Sequence, residues 1–369
     1  MHFLLIPYAF FSVIFVALFI NRDKAVSRSG LFLMAVFASS LILLAIWWRP
    51  ATGDSWRYLT YFRELRVMSL SDALDYRNGD PLYALLNWSA GFFGKDEVVL
   101  FGATLLVYFS VFIVAIKRLV GPLWAVVVLM CYVAYPYFVA YAANGLRQGL
   151  ALAFLLMAYV GLRQKNRQAW VWLLLAPFWH SGAWIAVVVV MAHQAMCWFV
   201  SDGKNRWLLV LVALFVSVML SITGQNEVLM SQLPDLIKLE QTQEIYFTDA
   251  KDYGYRAGFR IDFFLFSMLP LASALILRRR APTFDYGWSG WWLSLYLGLN
   301  VVYHLFSFVP FADRFAAFSW FLLPLVIFLQ VRETESRNLL SKFVALVCLV
   351  NVAMLQLYTG NFISAPQGW

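Results

Sequence analysis

Four arginines beside apolar runs are the residues of this sequence best suited to chemistry. Arg147, Arg260 and Arg314 each stand at the beginning of a long apolar run, and Arg256 shortly precedes the second of these runs. A guanidinium presents a planar fork of N–H donors that matches phosphate oxygens, so several such residues indicate a site for a polyanion. The alternative for each is an ordinary pair with an aspartate, or a side chain that extends to a membrane interface.

Two aspartates are further candidates. Asp54 lies three residues before Arg57, so it could either accept a proton in a reaction or simply pair with that arginine. Asp80 directly precedes Pro81. This order is typical of a helix start, because aspartate caps helices and proline suits the first helical position. Asp80 is therefore either a helix cap or a contact of a substrate.

The composition places these residues in a membrane protein. Of the 369 residues, 62% are hydrophobic and 13% are charged, whereas soluble domains have about 45–50% and about 25%. Too little polar surface remains to cover a globule in water, so a soluble enzyme, a coiled coil and a disulfide scaffold are excluded. We expect an all-α polytopic membrane protein that forms a single membrane domain, 1–369. At about 20 residues for each crossing, its bundle has about 10–12 transmembrane helices.

Apolar stretches mark where the chain is expected to cross the membrane. They lie at about 3–20, 31–48, 97–116, 122–141, 145–162, 170–199, 207–223, 259–277, 287–308, 314–331 and 342–360. If both termini and the segments 49–96 and 224–258 face outward, most lysines and arginines lie inside, as the positive-inside rule favours. Both outward segments mix charged and apolar residues with helical spacing. We therefore expect two amphipathic outer-face, or periplasmic, segments.

The stretch 170–199 is too long for one crossing. Its thirty residues would form a helix of about 45 Å, against a membrane core of about 30 Å. Pro177 and His180 lie near its middle, so we predict a broken helix pair with helices at 170–179 and 182–199. Interrupted membrane helices usually line a cavity, and an imidazole titrates near neutral pH. His180 is therefore a candidate general base, with a structural hydrogen bond as the alternative.

Motifs for nucleotides and metals are missing from the sequence. No Walker A, GxSxG or Rossmann fingerprint occurs, and there is no HxxxH, HExxH or His/Cys cluster. We therefore expect no cofactor and no metal, so the energy for any reaction must arrive with the substrate. The net charge of +8 is typical of a membrane protein with basic cytoplasmic loops. Nucleic acid is not expected as a partner.

An ordered set of short motifs extends from about residue 50 to 331. The motifs are Asp54…Tyr58, Asp80-Pro81-Leu82-Tyr83, Asn144-Gly145-Leu146-Arg147-Gln148, Trp179-His180-Ser181-Gly182-Ala183, Tyr255-Arg256…Arg260-Ile261-Asp262-Phe263 and Ala312-Asp313-Arg314. Together they resemble the EpsG family of Wzy-like bacterial polysaccharide polymerases, whose products include O-antigen, capsule and exopolysaccharide.

The resemblance implies a membrane glycosyltransferase of the bacterial inner membrane. Such an enzyme joins oligosaccharide repeat units linked to undecaprenyl pyrophosphate on the outer face of that membrane, without a metal. The implied pyrophosphate contacts are Arg147, Arg256, Arg260 and Arg314, and the implied substrate contacts are Arg57, Tyr58, Asp80 and Tyr83. His180, or Asp54 in its place, would act as the catalytic base. A flippase and a chain-length regulator are the implied protein partners, and the lipid bilayer surrounds the whole.

Two other functions are compatible with an apolar bundle that carries arginines. A lipid-linked oligosaccharide flippase or another transporter would be expected to place cations along the whole crossing, whereas the candidate arginines here gather on one face. A membrane acyltransferase that modifies sugars also uses His and Arg, but its acyl donor comes from the cytoplasm and no matching inward-facing pair is visible. Polymerisation is therefore the function that the sequence favours.

Overall fold

The computed structural model describes residues 54–76, 80–133, 135–200, 202–231, 257–277, 288–309 and 311–358. All regular secondary structure within these ranges is helical. Four helices there are long and apolar enough to cross a membrane: Glu97–Val120, Leu146–Arg163, Gly203–Thr223 and Asp313–Glu333. One bent helix pair gives a fifth crossing if it is counted as one span. The chain is thus an all-α polytopic membrane protein, as predicted, while the predicted crossings at 3–20 and 31–48 lie outside the described residues.

The described helices are, in chain order, α1 (Asp54–Leu65), α2 (Leu70–Asp75), α3 (Pro81–Ala90), α4 (Glu97–Val120), α5 (Pro122–Val133), α6 (Pro136–Ala143), α7 (Leu146–Arg163), α8 (Ala169–Trp179), α9 (Ala183–Phe199), α10 (Gly203–Thr223), α11 (Gln225–Ser231), α12 (Ile261–Ser267), α13 (Leu269–Leu277), α14 (Trp288–Leu305), α15 (Asp313–Trp320), α16 (Leu323–Glu333) and α17 (Arg337–Tyr358). They form two compact units. The first contains α1–α8 and α17, and the second contains α10–α16, with the division inside α9 after residue 184.

The helices α1 to α3 account for most of the described part of the first amphipathic segment. In α1, Leu59, Phe62 and Leu65 recur every three residues and are buried, whereas charged residues on the opposite face are exposed. α3 packs against α1, α2, α4 and α8, and the indole N–H of Trp88 donates to the carbonyl of Met68 (3.1 Å). The amphipathic character predicted for this segment is confirmed in α1, and its outward orientation stays a prediction.

Helix α7 is the buried centre of the first unit, with α4, α6 and α8 packed around it. The ring of Phe154 lies 5.3 Å from that of Trp172 and 5.2 Å from that of Trp179, which fixes α8 against α7. A Cβ at Gly149 would lie 2.7 Å from the carbonyl oxygen of Tyr141. Glycine is needed there because backbone atoms of α6 approach α7 so closely.

The predicted break in the stretch 170–199 is confirmed. α8 ends at Trp179 and α9 begins at Ala183, and His180 between them has an extended backbone with φ −158° and ψ 112°. The eleven residues of α8 rise about 16 Å, roughly half a membrane core. The chain therefore interrupts its apolar run at the point where the sequence places its histidine.

A second break lies in the stretch 122–141, for which the sequence predicts a crossing but no break. This stretch contains α5 and α6, whose axes differ by 76°. α6 starts at Pro136, and Tyr135 before it has an extended backbone. Proline lacks an N–H and disfavours a helical conformation in the residue before it, so Pro136 favours a break at this point.

In the second unit, α10, α15 and α16 pack around α14. The hydroxyl of Tyr296 donates to the carbonyl of Ser267 (2.9 Å), and the indole N–H of Trp320 donates to the hydroxyl of the same serine (2.7 Å). These buried bonds attach α14 and α15 to the end of α12. Of the predicted outer-face segment 224–258, residues 232–256 lie outside the described part of the chain.

Candidate functional site

Asp80 connects three parts of the chain in the first unit. It stands at the N-cap of α3, but its carboxylate makes no capping bond to that helix. Oδ2 accepts a hydrogen bond from Nη1 of Arg147 within an ion pair, and Oδ1 accepts one from the backbone N–H of Ser181 (2.8 Å). We call these three residues the Asp80 junction. The junction attaches the starts of α3 and α7 to the turn between α8 and α9.

Arg147 is the second residue of α7. Helix α6 ends in a turn in which the N–H of Asn144 donates to the carbonyl of Ala140 (2.7 Å), and α7 begins two residues later. The Arg147 side chain is 38% exposed and that of Asp80 is 10% exposed. An arginine has five N–H donors, and Nη1 makes the bond to Asp80. The ion pair therefore orients the guanidinium and leaves donors for a second anion.

Two tyrosines lie beside Arg147. The ring of Tyr58 has its centroid 5.7 Å from the guanidinium carbon of Arg147 and 5.8 Å from the ring centroid of Tyr83. Tyr83 is buried, and its hydroxyl has no hydrogen-bond partner among the described residues. Burial raises the pKa of the Tyr83 phenol above its usual range. The hydroxyl therefore stays protonated and can donate to an acceptor.

His180 lies at the end of α8, one residue from the junction. Its carbonyl accepts a hydrogen bond from the N–H of Ala183 (2.9 Å), so the turn between the two helices is short. The half-buried imidazole lies against Gly182, where an added Cβ would be 3.0 Å from Nε2. Backbone N–H groups at a helix break lose their helical partners, and Asp80 provides one for Ser181. The same carboxylate thus binds the candidate cation and the backbone of the turn that carries the candidate base.

The second unit carries Arg260 and Arg314. Arg260 precedes α12 and pairs with Asp262: Nε donates to Oδ1 (3.2 Å), and Nη2 pairs with Oδ2. The guanidinium carbon of Arg260 lies 3.5 Å from the ring centroid of Phe263, and that of Arg314 lies 5.2 Å from the ring centroid of Phe311. Both arginines are partly exposed. Each therefore presents a cation over an aromatic face at the start of a helix.

The structure brings some of the predicted site residues together. Those that meet in the first unit are Tyr58, Asp80, Tyr83, Arg147 and the turn that contains His180. Arg57 lies on the exposed face of α1. Asp54 begins α1, but its side chain lies outside the described residues, and so does the whole of Arg256. Within the described ranges, no three His, Cys, Asp or Glu side chains are grouped as a metal site would require.

The backbone N–H of Ser181 is a site component that the sequence pattern did not identify. Its position beside a predicted break was a usable signal, because each N–H released at a break in an apolar stretch needs a partner. The predicted alternative of aspartate pairing holds for Arg147 and Arg260. The expected partner of Arg147 could not be named, because Asp80 lies 67 positions away.

The comparison with protein families covers nearly the whole chain. The model of the EpsG family matches residues 30–364, a range that includes every predicted site residue. No curated protein and no solved structure matches the chain. The match agrees with the order of motifs and with the apolar helices, and it supports a polysaccharide polymerase-like role. This membrane protein therefore belongs to the EpsG family.

Proposed function

We propose that this protein is a polymerase that joins oligosaccharide repeat units carried on undecaprenyl pyrophosphate. The growing chain leaves its lipid pyrophosphate and is transferred to a hydroxyl of the next lipid-linked unit. The reaction takes place on the outer face of the bacterial inner membrane. The family membership supports the polymerase-like role, and the residues of the first unit support the finer assignment.

The Asp80 junction is the observation that carries the proposal. It holds the guanidinium of Arg147 at the start of α7, with the phenol of Tyr83 close by. A pyrophosphate group offers many acceptor oxygens with negative charge, which suits an oriented guanidinium and a protonated phenol. Side chains that are fixed before the substrate arrives stabilise developing charge without a further cost of reorganisation.

The proposed step is a substitution at the anomeric carbon of the donor sugar. The acceptor hydroxyl oxygen forms a bond to this carbon, the bond from the carbon to the pyrophosphate oxygen breaks, and the electron pair leaves with the pyrophosphate. Arg147 neutralises the charge that develops on the leaving group, and Arg256, Arg260 and Arg314 are the further pyrophosphate contacts that the family resemblance implies. His180 takes the proton of the acceptor hydroxyl, because an imidazole accepts protons near neutral pH. Asp54 is the alternative base.

Arginines fill the role that a divalent cation has in many transfers from pyrophosphate. The reaction should therefore be independent of metal, and the rate should survive treatment with EDTA. A rate that EDTA abolished and that Mg²⁺ restored would contradict this part of the proposal.

The experiment that tests the function supplies the purified protein with lipid-linked repeat units and resolves the products by length. A polymerase yields a ladder of regularly spaced lengths that are still attached to lipid. A flippase yields no change in length, and an acyltransferase adds a single fixed mass. His180→Gln and Asp54→Asn, assayed across pH, identify the base, because the variant that lacks it loses the ladder.

The proposed orientation is tested by labelling single cysteines. A cysteine at Arg279 should be protected from an impermeant reagent added outside, and one at Asn361 should react. The reverse pattern would place the candidate arginines on the cytoplasmic side and would overturn the assignment to the outer face.

A further inference from the structure

We propose that Asp80 is a positioning residue, which directs the guanidinium of Arg147 and fixes the turn that carries His180. The sequence pattern suggests a helix cap or a substrate contact, and the geometry points to a third role. The proposal rests on the proposed function, because that function makes Arg147 a contact of the leaving pyrophosphate. Its geometric part, the coupling of Asp80 to Arg147, can be tested without that function.

Both oxygens of the Asp80 carboxylate bind residues of distant segments. Oδ2 pairs with Arg147, 67 positions later, and Oδ1 accepts the N–H of Ser181, 101 positions later. The carboxylate is also the more buried member of the ion pair. Both oxygens of this carboxylate already accept hydrogen bonds from the protein, so Asp80 is a poor candidate for either a proton acceptor or a sugar contact.

Comparison with Asp202 shows that Asp80 does not act as a helix cap. Both residues occupy the N-cap position of a helix. The carboxylate of Asp202 accepts a hydrogen bond from the N–H of Lys204 in its own helix (3.0 Å), as N-caps commonly do. That of Asp80 makes no such bond. The local sequence permits a cap in both places, and only at Asp80 is the carboxylate used elsewhere.

The junction determines which donors remain for the leaving group. With Nη1 directed to Asp80, Nε of Arg147 is buried and has no hydrogen-bond partner among the described residues, and neither has the hydroxyl of Tyr83. The ring of Tyr58 lies 5.7 Å from the guanidinium carbon of Arg147 and 5.8 Å from the ring of Tyr83, so both side chains border the same tyrosine. We infer that the exposed part of the guanidinium binds the phosphate oxygens, and that Asp80 keeps it turned toward them.

The activity test compares Asp80→Asn with Asp202→Asn in the polymerisation assay. Asparagine at 80 can still accept the Ser181 N–H but loses the charge that holds Arg147, so we expect a decrease in kcat of about 100-fold, the order that misplacement of a reacting group causes. The acid limb of the pH–rate profile should stay where it is. Asp202→Asn should stay within about twofold, since asparagine caps helices as well as aspartate does.

Two results would overturn the positioning role. A wild-type rate for Asp80→Asn would show that the carboxylate directs nothing that the reaction needs. Loss of the acid limb in Asp80→Asn would show that Asp80 itself takes the proton and is a catalytic residue.

A thermal double-mutant cycle tests the pair when no polymerisation is observed. Melting temperatures are measured in detergent for Asp80→Asn, Arg147→Gln and the double variant. Residues in direct contact give non-additive effects, so the double variant should melt at a higher temperature than the summed single decreases predict. Additive decreases would show that the pair does not form. If the wild type gave no ladder while the cycle showed coupling, the proposed function would fail and the junction would stand.

Discussion

Arg147 and Arg260 both stand at the start of an apolar helix and both pair with an aspartate. The two pairs differ in how far apart their members lie in the sequence and in how exposed the aspartate is. The partner of Arg147 comes from another helix, 67 positions away, and its side chain is 10% exposed. The partner of Arg260 is Asp262, two positions away, with 59% of its side chain exposed. The first pair holds separate helices together, whereas the second orders only its own turn.

This difference indicates what each arginine contributes. Exposed ion pairs contribute about 0–1 kcal/mol to stability, because water competes for both charges. A hydrogen bond to a charged group away from water contributes about 1.5–3 kcal/mol. We therefore expect Arg147 to contribute to both stability and activity, and Arg260 to contribute to activity with little effect on stability.

The largest expected effect is that of Arg147→Ala. This change removes a proposed contact of the leaving pyrophosphate and leaves the largely buried carboxylate of Asp80 without its cation, so polymer should fall more than 100-fold and the melting temperature should decrease. Ladder assays and thermal unfolding in detergent measure the two losses. Arg147→Lys should restore only part of the activity, because an ammonium lacks the planar fork. Normal polymer from Arg147→Ala at normal protein level would remove this residue from the site.

Asp80→Ala should have the next largest effect, and we expect this effect to be mainly a loss of stability. It deletes the acceptor for two hydrogen bonds, so we expect the free energy of unfolding to fall by about 3 kcal/mol. Asp262→Ala is the matched variant in the second unit, and it should change stability by less than about 1 kcal/mol. Equal changes for the two variants would remove the contrast between the long-range and the local pair.

Arg260→Ala should separate function from stability. The rate of polymerisation should fall roughly 10- to 100-fold through the loss of a cation at the leaving group, while the melting temperature stays within about 1 °C of the wild-type value, since the pair is local and exposed. Asp262→Asn serves as the control, because it removes the partner and keeps the arginine. A melting temperature that dropped as far as that of Arg147→Ala would show that Arg260 also holds helices together.

Tyr83→Phe should have the smallest effect on the fold. The hydroxyl is buried without a partner among the described residues, so its removal should leave the melting temperature unchanged or slightly raised. If the phenol donates to the substrate, the variant should bind lipid-linked units several-fold more weakly, which is the size expected for a single hydrogen bond. Measured KM and kcat test this, and unchanged values for both would exclude the hydroxyl from the site.

Local chemistry determines much of the fold without reference to tertiary contacts. Hydropathy predicts the helical class and the approximate bounds of α4, α7 and α10, because each crossing must satisfy its own backbone in an apolar medium. The excess length of the run 170–199 predicts the break near His180. Pro136 is an equally local signal for the break between α5 and α6. The apolar stretch 122–141 is short enough for one crossing, however, so its length gives no indication of a break.

The tertiary structure determined which partner each charged side chain binds. Asp80 and Asp202 both occupy N-cap positions, yet one caps its helix and the other reaches Arg147 and Ser181. Arg147 and Arg260 look alike in sequence, yet only one has its partner nearby in the chain. Helix formation depends on neighbours within one or two turns, so the sequence alone determines it. A carboxylate binds whichever donors the packed helices bring to it, and here α7 and the end of α8 lie more than sixty positions along the chain from Asp80.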